Sequence, residues 1–397
     1  MIAGIEFCLW IYYAEEREPA LEDITTLLHQ LVSINSINPD LVPGAPGEVE
    51  IARFVANWLQ EAGLEVTVDE SHPGRPNVVG IARGTGGGRS LMLNAHMDTV
   101  GVAGMDNPHS PYIEDNRLYG RGAFDMKAGL AAIMQAAAAA HQHTLRGDVI
   151  VTAVAYEEYA SIGTQSVLKR WHADAAIVTE PTELALCVAH KGFIWQEITT
   201  YGRAAHGSLP TQGIDAIAKM GHVLVALDAL NQSLGTSTPH PLLGNGSLHA
   251  SLISGGQELS SYPERCVLNV ERRTIPGETA EQVEAQVRAI LDQLHAADPA
   301  FKATLQTTMV REPFSVSADT PIIQVLQHHA QQQLKHAMEL SGTFGWMDSA
   351  LLADAGIPTV IFGPGGAGAH ATVEWSDLTQ LRQCAEILLA TIMEFCA

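Results

Sequence analysis

Hydrophobic and polar positions along the chain follow two periods, and the switching between them predicts the elements. Apolar residues recur at helical spacing over residues 25–37 and 49–62, and short apolar runs over 65–68, 77–82 and 90–94 predict strands. Residues 126–143 predict a helix with an Ala-rich core, followed by the apolar run 149–155 and the short strand 175–178. The Ala-rich helix thus lies between two strands, and a β-α-β succession implies a largely parallel sheet with helices on both faces.

From about residue 191 the character changes. Strand 192–200, helix 213–230, strands 247–253 and 265–271, helix 281–295 and strand 303–309 give the β-α-β-β-α-β order of a split-βαβ sandwich. After Pro313 the α/β pattern resumes with helices 322–340 and 349–355, strand 358–362, a Gly-rich loop and a closing helix 378–395. The expected organisation is an α/β domain built from 1–190 and 310–397, with 191–309 inserted as a second, α+β domain.

Composition narrows the class. At 397 residues, 46% hydrophobic and 17% charged, the chain has material for a large core, and no apolar stretch approaches the ~20 residues that span a bilayer. The apolar start MIAGIEFCLWIYY has no Lys or Arg before it and carries Glu6 inside it, so it is read as an N-terminal extension rather than a secretory signal. Cys8, Cys187, Cys266, Cys384 and Cys396 are scattered without a CxxC pair, which suits a reducing cytoplasm and argues against a thiolate metal site. The formal charge of -22, from 44 acidic and 22 basic residues, argues against nucleic acid or anionic lipid as a partner and favours cations.

In open parallel sheets ligands bind just beyond the carboxyl ends of the strands. There the chain places His96 and Asp98 after one strand, Glu157 and Glu158 after the next, Glu180 after residues 175–178 and His370 after the Gly-rich loop, with Asp125 just before the Ala-rich helix. Singly, each has an ordinary reading: His-x-Asp as a turn, Glu-Glu as a solvated loop, Glu180 as a turn acid before Pro181. Together they have the composition of a site for a pair of divalent ions, zinc first, because so many converging carboxylates would otherwise repel and resist ionisation. Adjacent side chains on a strand face opposite ways, so Glu157 and Glu158, at the end of the run 149–155, need two different roles. The loop 363–368 lacks a following helix and a Lys-Ser/Thr, so a nucleotide cradle is weak and delivery of His370 is the better account.

LNAHMDTV (93–100), RLYGRGAFDMKAGLAA (117–132), AYEE (155–158), VTEP (178–181), GRAAHGSLP (202–210), RRTIPGE (272–278) and FGPGGAGAHATVEW (362–375) together resemble one family. It is the dinuclear metallopeptidase and amidohydrolase family that includes acetylornithine deacetylase, succinyl-diaminopimelate desuccinylase, aminoacylase-1 and carboxypeptidase G. The resemblance implies a phosphorylase/aminopeptidase-like catalytic domain with an inserted ferredoxin-like lid and dimerisation domain. It further implies His96 and Glu180 as ligands of one zinc, Glu158 and His370 of the other, and Asp125 as the bridge, with cobalt or manganese as alternative metals. Asp98 would accept a hydrogen bond from His96, Glu157 would be the general base, and a cis peptide would follow Asp125. His206 would cross a homodimer interface to stabilise the developing oxyanion, and Arg273, rather than Arg272, would grip a substrate carboxylate.

These roles imply a cytoplasmic hydrolase for the amide of an N-acyl-amino acid, acetylornithine first, with a glutamate-releasing carboxypeptidase or a desuccinylase next. A short peptide is the other substrate form. A catalytically silent metal- or carboxylate-binding protein is the non-enzyme alternative, and Glu157 argues against it, since pure binding has no use for a non-ligand carboxylate there. One departure stands out: many members of the family carry an asparagine shortly after Ile-Ser-Gly-Gly, where this chain has Ser260. Any particular substrate specificity is therefore not transferred.

Overall fold

A computed structural model describes residues 23–397; the apolar start and Cys8 lie outside the described residues. The core of the molecule is a nine-stranded sheet. Its strands run in the order Glu65–His72, Arg75–Ala82, Val149–Val154, Leu91–His96, Ala175–Val178, Thr359–Ile361, Leu186–His190 and Phe314–Ser315, with Leu340–Thr343 beside Leu186–His190. The four central strands are mutually parallel and the outer pairings are mostly antiparallel. Leu91–His96, Val149–Val154 and Ala175–Val178 are buried along their whole length, because helices cover both faces.

The Ala-rich helix Ala128–His141 is apolar nearly all round and accordingly buried, packed against the helices Ile24–Ser33 and Leu378–Phe395. It must come very close to the sheet at its first turn. A Cβ on Gly129 would lie 2.1 Å from the carbonyl oxygen of Thr179, so only glycine permits that approach.

The second sheet is antiparallel in the order Ser247–Gly255, Arg265–Thr274, Gly192–Tyr201 and Lys302–Arg311. Helices Ala216–Gly235 and Ala280–Ala297 cover it, closing a core of Ile198, Met220, Val223, Leu268, Val270 and Val287. The second helix begins with a reciprocal cap in which Thr279 and Gln282 satisfy each other's backbone amides. Strand order and connectivity are those of a ferredoxin-like α+β sandwich, as the β-α-β-β-α-β pattern predicts.

A small third sheet pairs Gly366–Ala367, Trp375–Asp377, Arg117–Tyr119 and Tyr112–Glu114. It ties the loop that carries His370 to the segment that leads into Asp125. Three sequence expectations change. The helix predicted over 322–340 ends at Leu334, where Lys335 turns left-handed at φ 61°, and residues Leu340–Thr343 become a strand. The helix predicted from residue 126 begins at Ala128. The strand predicted to 155 ends at Val154, and Glu157 and Glu158 lie in a turn entered through Tyr156 at φ 73°. Alternation along a strand therefore does not separate the two glutamates.

Candidate active site

The carboxyl ends of the parallel strands converge on one edge of the large sheet. His96 ends its strand and is 1% exposed; its Nε2 lies 3.2 Å from Asp125 Oδ1 and 3.6 Å from Glu180 Oε1. His370, at φ 59° beyond the Gly-rich loop, places Nε2 3.0 Å from Glu158 Oε2 and 3.5 Å from Asp125 Oδ2. Asp125 thus offers one carboxylate oxygen to each histidine. His96, Asp125 and Glu180 form one group, and Asp125, Glu158 and His370 another, each with ligand-type atoms within 4.8 Å of one another.

The electrostatics of the cluster are those of too many buried acids. Burial raises the pKa of Glu180 well above the carboxylate range, with Asp125, Glu158 and Asp348 adding to it and His96 opposing. Glu158 is pushed up to about 7 by burial and by Asp125, against the hydrogen bond from His370. Asp125 is buried too, but its hydrogen bonds with His370 and His96 outweigh burial and hold it well below the usual range. Hydrogen bonds to Asp125 and Glu158 lift His370 to about 10, and burial works against the charging of His96 but is overcome by Asp125 and the surrounding carboxylates. Glu157 belongs to neither ligand-type group; burial, then the charge of Glu180, raises its pKa strongly, and His96 opposes.

Asp98 departs from expectation. Its carboxylate lies 3.6 Å from His96 Nδ1, while the nearer contact of that nitrogen, at 3.0 Å, is the backbone carbonyl of Asp98. The carboxylate instead accepts the backbone N–H groups of Glu157 at 3.0 Å and Glu158 at 3.2 Å, and the side-chain amide of Asn38 at 2.9 Å. Those three donors occupy it, so Asp98 holds the turn that presents both glutamates.

Two carboxylates that the sequence reading passed over complete the frame. Glu374, 1% exposed, accepts from Arg121 Nη1 at 2.6 Å and from the backbone amides of Gly122, Phe124 and Asp125 at 3.0 to 3.1 Å. It fixes the loop that ends in the cis Asp125-Met126 peptide. Asp348, also 1% exposed, accepts from Thr164 Oγ1 at 2.6 Å, and its other oxygen, Oδ1, has no partner among the described residues. The Gly-rich loop hugs the strand end that carries Glu180: a Cβ on Gly363 would stand 2.3 Å from the Glu180 carbonyl oxygen.

His206 and Arg273 stand apart from the cluster. The His206 ring pairs with Ser208 Oγ at 2.8 Å in its own loop, and the segment bridges to Ser261. Along Arg265–Thr274 the side chains alternate, so Arg272 is sealed inside with Glu278 while Arg273 faces out, its Nε 2.6 Å from Glu271 and its guanidinium 5.2 Å from the Phe193 ring. The Arg273 Nη groups make no hydrogen bond among the described residues.

Residues 92–394 match the profile of the peptidase family M20/M25/M40, and the chain belongs to that family. It is accordingly a hydrolase acting on C–N bonds. The chain is 28% identical over 423 residues to the N-formyl-4-amino-5-aminomethyl-2-methylpyrimidine deformylase of Bacillus subtilis (strain 168), covering 98% of each. It is 28% identical over 393 residues to the acetylornithine deacetylase of Myxococcus xanthus, covering 95% of this chain and 98% of that one. Among solved structures, aminopeptidase PepT from Bacillus cereus superposes with a TM-score of 0.78 at 19% identity, covering 94% of this chain and 98% of the other. The Bacillus subtilis YXEP protein, a dinuclear metal-binding peptidase, gives 0.73 at 18%, with coverage of 94% and 98%.

Proposed function

We propose that this enzyme removes a small acyl group from the nitrogen of an amino acid with a free carboxylate, acetylornithine-like substrates first, and that it does so with two divalent cations. The observation that carries the reading is Glu157: a half-buried carboxylate beside two ligand-type groups and a member of neither. The donor set fits the cations. One histidine and two carboxylates per group, with Asp125 shared, are borderline-to-hard ligands suited to zinc, and to cobalt or manganese. Two positive ions would also offset the burial and the mutual repulsion that raise Glu158 and Glu180.

His96 and Glu180 would hold one ion, Glu158 and His370 the other, and Asp125 both. When bound, the ions would lower the pKa of a water and polarise the amide carbonyl. Glu157, with its proton affinity raised by burial, is suited to take a proton on its carboxylate and return it to the leaving nitrogen. Asp98 and Glu374 keep the two loops in place through backbone amides. Arg273, with Nε engaged by Glu271 and both Nη groups open, is suited to a bidentate grip on the substrate carboxylate.

A homodimer with His206 acting across the interface completes the reading. The edge strand Ser247–Gly255 exposes Leu252 and Ile253, and the neighbouring helix exposes Ile217 and Val225, an apolar face beside an unpaired sheet edge that a second copy would cover. The four described cysteines are unpaired and buried, which suits a cytoplasmic setting.

The deformylase and deacetylase relatives both support a one- or two-carbon acyl group. Zinc- or cobalt-loaded enzyme should be screened against N-acetyl-, N-formyl- and N-succinyl-amino acids and glutamyl-linked amino acids. The highest kcat/KM is expected on N-acetyl-amino acids; exclusive turnover of the glutamyl-linked set would replace the reading with a carboxypeptidase.

A further inference from the structure

Arg311 is the last residue of Lys302–Arg311, where the chain leaves the four-stranded sheet and returns to the large one. Its Nη2 donates to the carbonyl of Ala160 at 2.7 Å and its Nη1 to that of Val310 at 3.1 Å. The guanidinium stands 5.2 Å from the Trp346 ring, which in turn meets Phe193, the strand partner of Arg311, edge-on at 6.4 Å. Trp346 is itself fixed by its Nε1 hydrogen bond to the Glu312 carbonyl. The side chain is therefore clamped at the junction of the two sheets and reaches one specific atom in the other.

That atom lies three residues beyond Glu157, in the turn 156–161. At its start the turn is held by Asp98 through the amides of Glu157 and Glu158. Within it, Ser161 N–H closes on the Tyr156 carbonyl at 2.7 Å, and both Tyr156 and Ser161 have positive φ. Such a backbone persists only when its surroundings over-determine it. Arg311 supplies the far anchor. Its cation faces neutral carbonyls; burial lowers its pKa, and the charges of Asp348 and Glu157 oppose that.

We propose that Arg311 is a positioning residue: it sets Glu157 through the Ala160 carbonyl, so that the four-stranded sheet and the catalytic turn move as one unit. The inference rests on the reading of Glu157 as the base. A displacement of ~1 Å in a reacting group can cost about a hundredfold in rate, so the anchor matters without touching substrate.

The test compares R311M, R311K and E157Q as zinc-loaded enzymes, using N-acetyl-L-ornithine as substrate and amide hydrogen exchange as a readout independent of it. R311M is expected to lower kcat about 10- to 100-fold with KM changed less than about threefold, zinc content retained and exchange accelerated in residues 156–161. R311K, which can reach one carbonyl, should restore part of both losses. Normal kcat and normal exchange in R311M overturn the proposal, as does a kcat loss that comes with lost zinc or lost global protection. Should R311M fail to fold, R311K decides alone: intermediate kcat with local acceleration supports the proposal, and wild-type values of both overturn it. If E157Q keeps its rate the base assignment falls; if E157Q is inactive while R311M is normal, only the Arg311 proposal falls.

Discussion

Glu157 and Glu158 differ in what surrounds them, although one carboxylate, Asp98, holds both backbones. Glu158 meets His370 and Asp125, while Glu157 faces the acids of the site with His96 opposing them. Removal of the Glu157 charge should therefore spare the ions and lose the chemistry: Glu157→Gln is expected to retain zinc by metal analysis yet lose about 10²–10⁴ in kcat. Retention of most of the rate would end its assignment as base. Glu374 acts at a different point. Glu374→Gln leaves Arg121, 3% exposed, as an uncompensated buried cation, and the expected cost is about 3–5 kcal/mol in unfolding free energy. The amides of Phe124 and Asp125 lose their anionic acceptor as well, and zinc affinity measured by competition with a chelator should fall about 10- to 100-fold.

Among the elements, those legible in the sequence are the ones with a clear period and a clear end. The parallel strands are short apolar runs closed by polar residues, and their ends announce His96, Glu158 and Glu180 because ligand-type side chains follow directly. Asp348 and Glu374 were illegible because what makes them matter is supplied from far along the chain: Thr164 for one, the loop 121–125 for the other. The four strands of the small sheet span only two or three residues each, too few for a period to register. Leu186–His190 also escaped, and it ends in a buried histidine with Nε2 2.9 Å from Ser349 Oγ and Nδ1 2.9 Å from the Lys191 carbonyl. Burial lowers the His190 pKa to about 4, against the pull of the Lys191 and Met347 carbonyls. Because the folded value lies below the unfolded one of ~6.5, the contribution to stability is intact above that pH and is lost as the unfolded chain takes up the proton that the native chain refuses. Between pH 7 and 4.5, urea unfolding of the wild type should lose about 2–3 kcal/mol more than that of His190→Gln; equal losses would remove His190 from the acid response.

At the scale of the whole molecule, the proposed site draws on all three sheets. The ligand-type cluster gathers at the strand ends of the large sheet, with His370 supplied by a loop tied to the small one, whereas His206 and Arg273 belong to the four-stranded one, where His206 meets Ser208 and bridges to Ser261. A second copy packed on the exposed Leu252, Ile253 and Val225 face is the arrangement in which a loop from one chain would serve the site of another. Complementation tests it directly. His206→Asn and Glu157→Gln should each be nearly inactive as homodimers, but a mixed dimer pairs a chain that retains Glu157 with one that retains His206, so one of its two sites is whole. Random exchange makes half the dimers mixed, and activity after co-refolding should recover to about a quarter of wild type. Recovery no greater than the sum of the two parents would place His206 in its own chain's chemistry or outside chemistry altogether. Sedimentation of the mixture distinguishes these outcomes from failure to associate: a dimer without rescue rejects the crossing histidine, and a monomer rejects the apolar face as the contact.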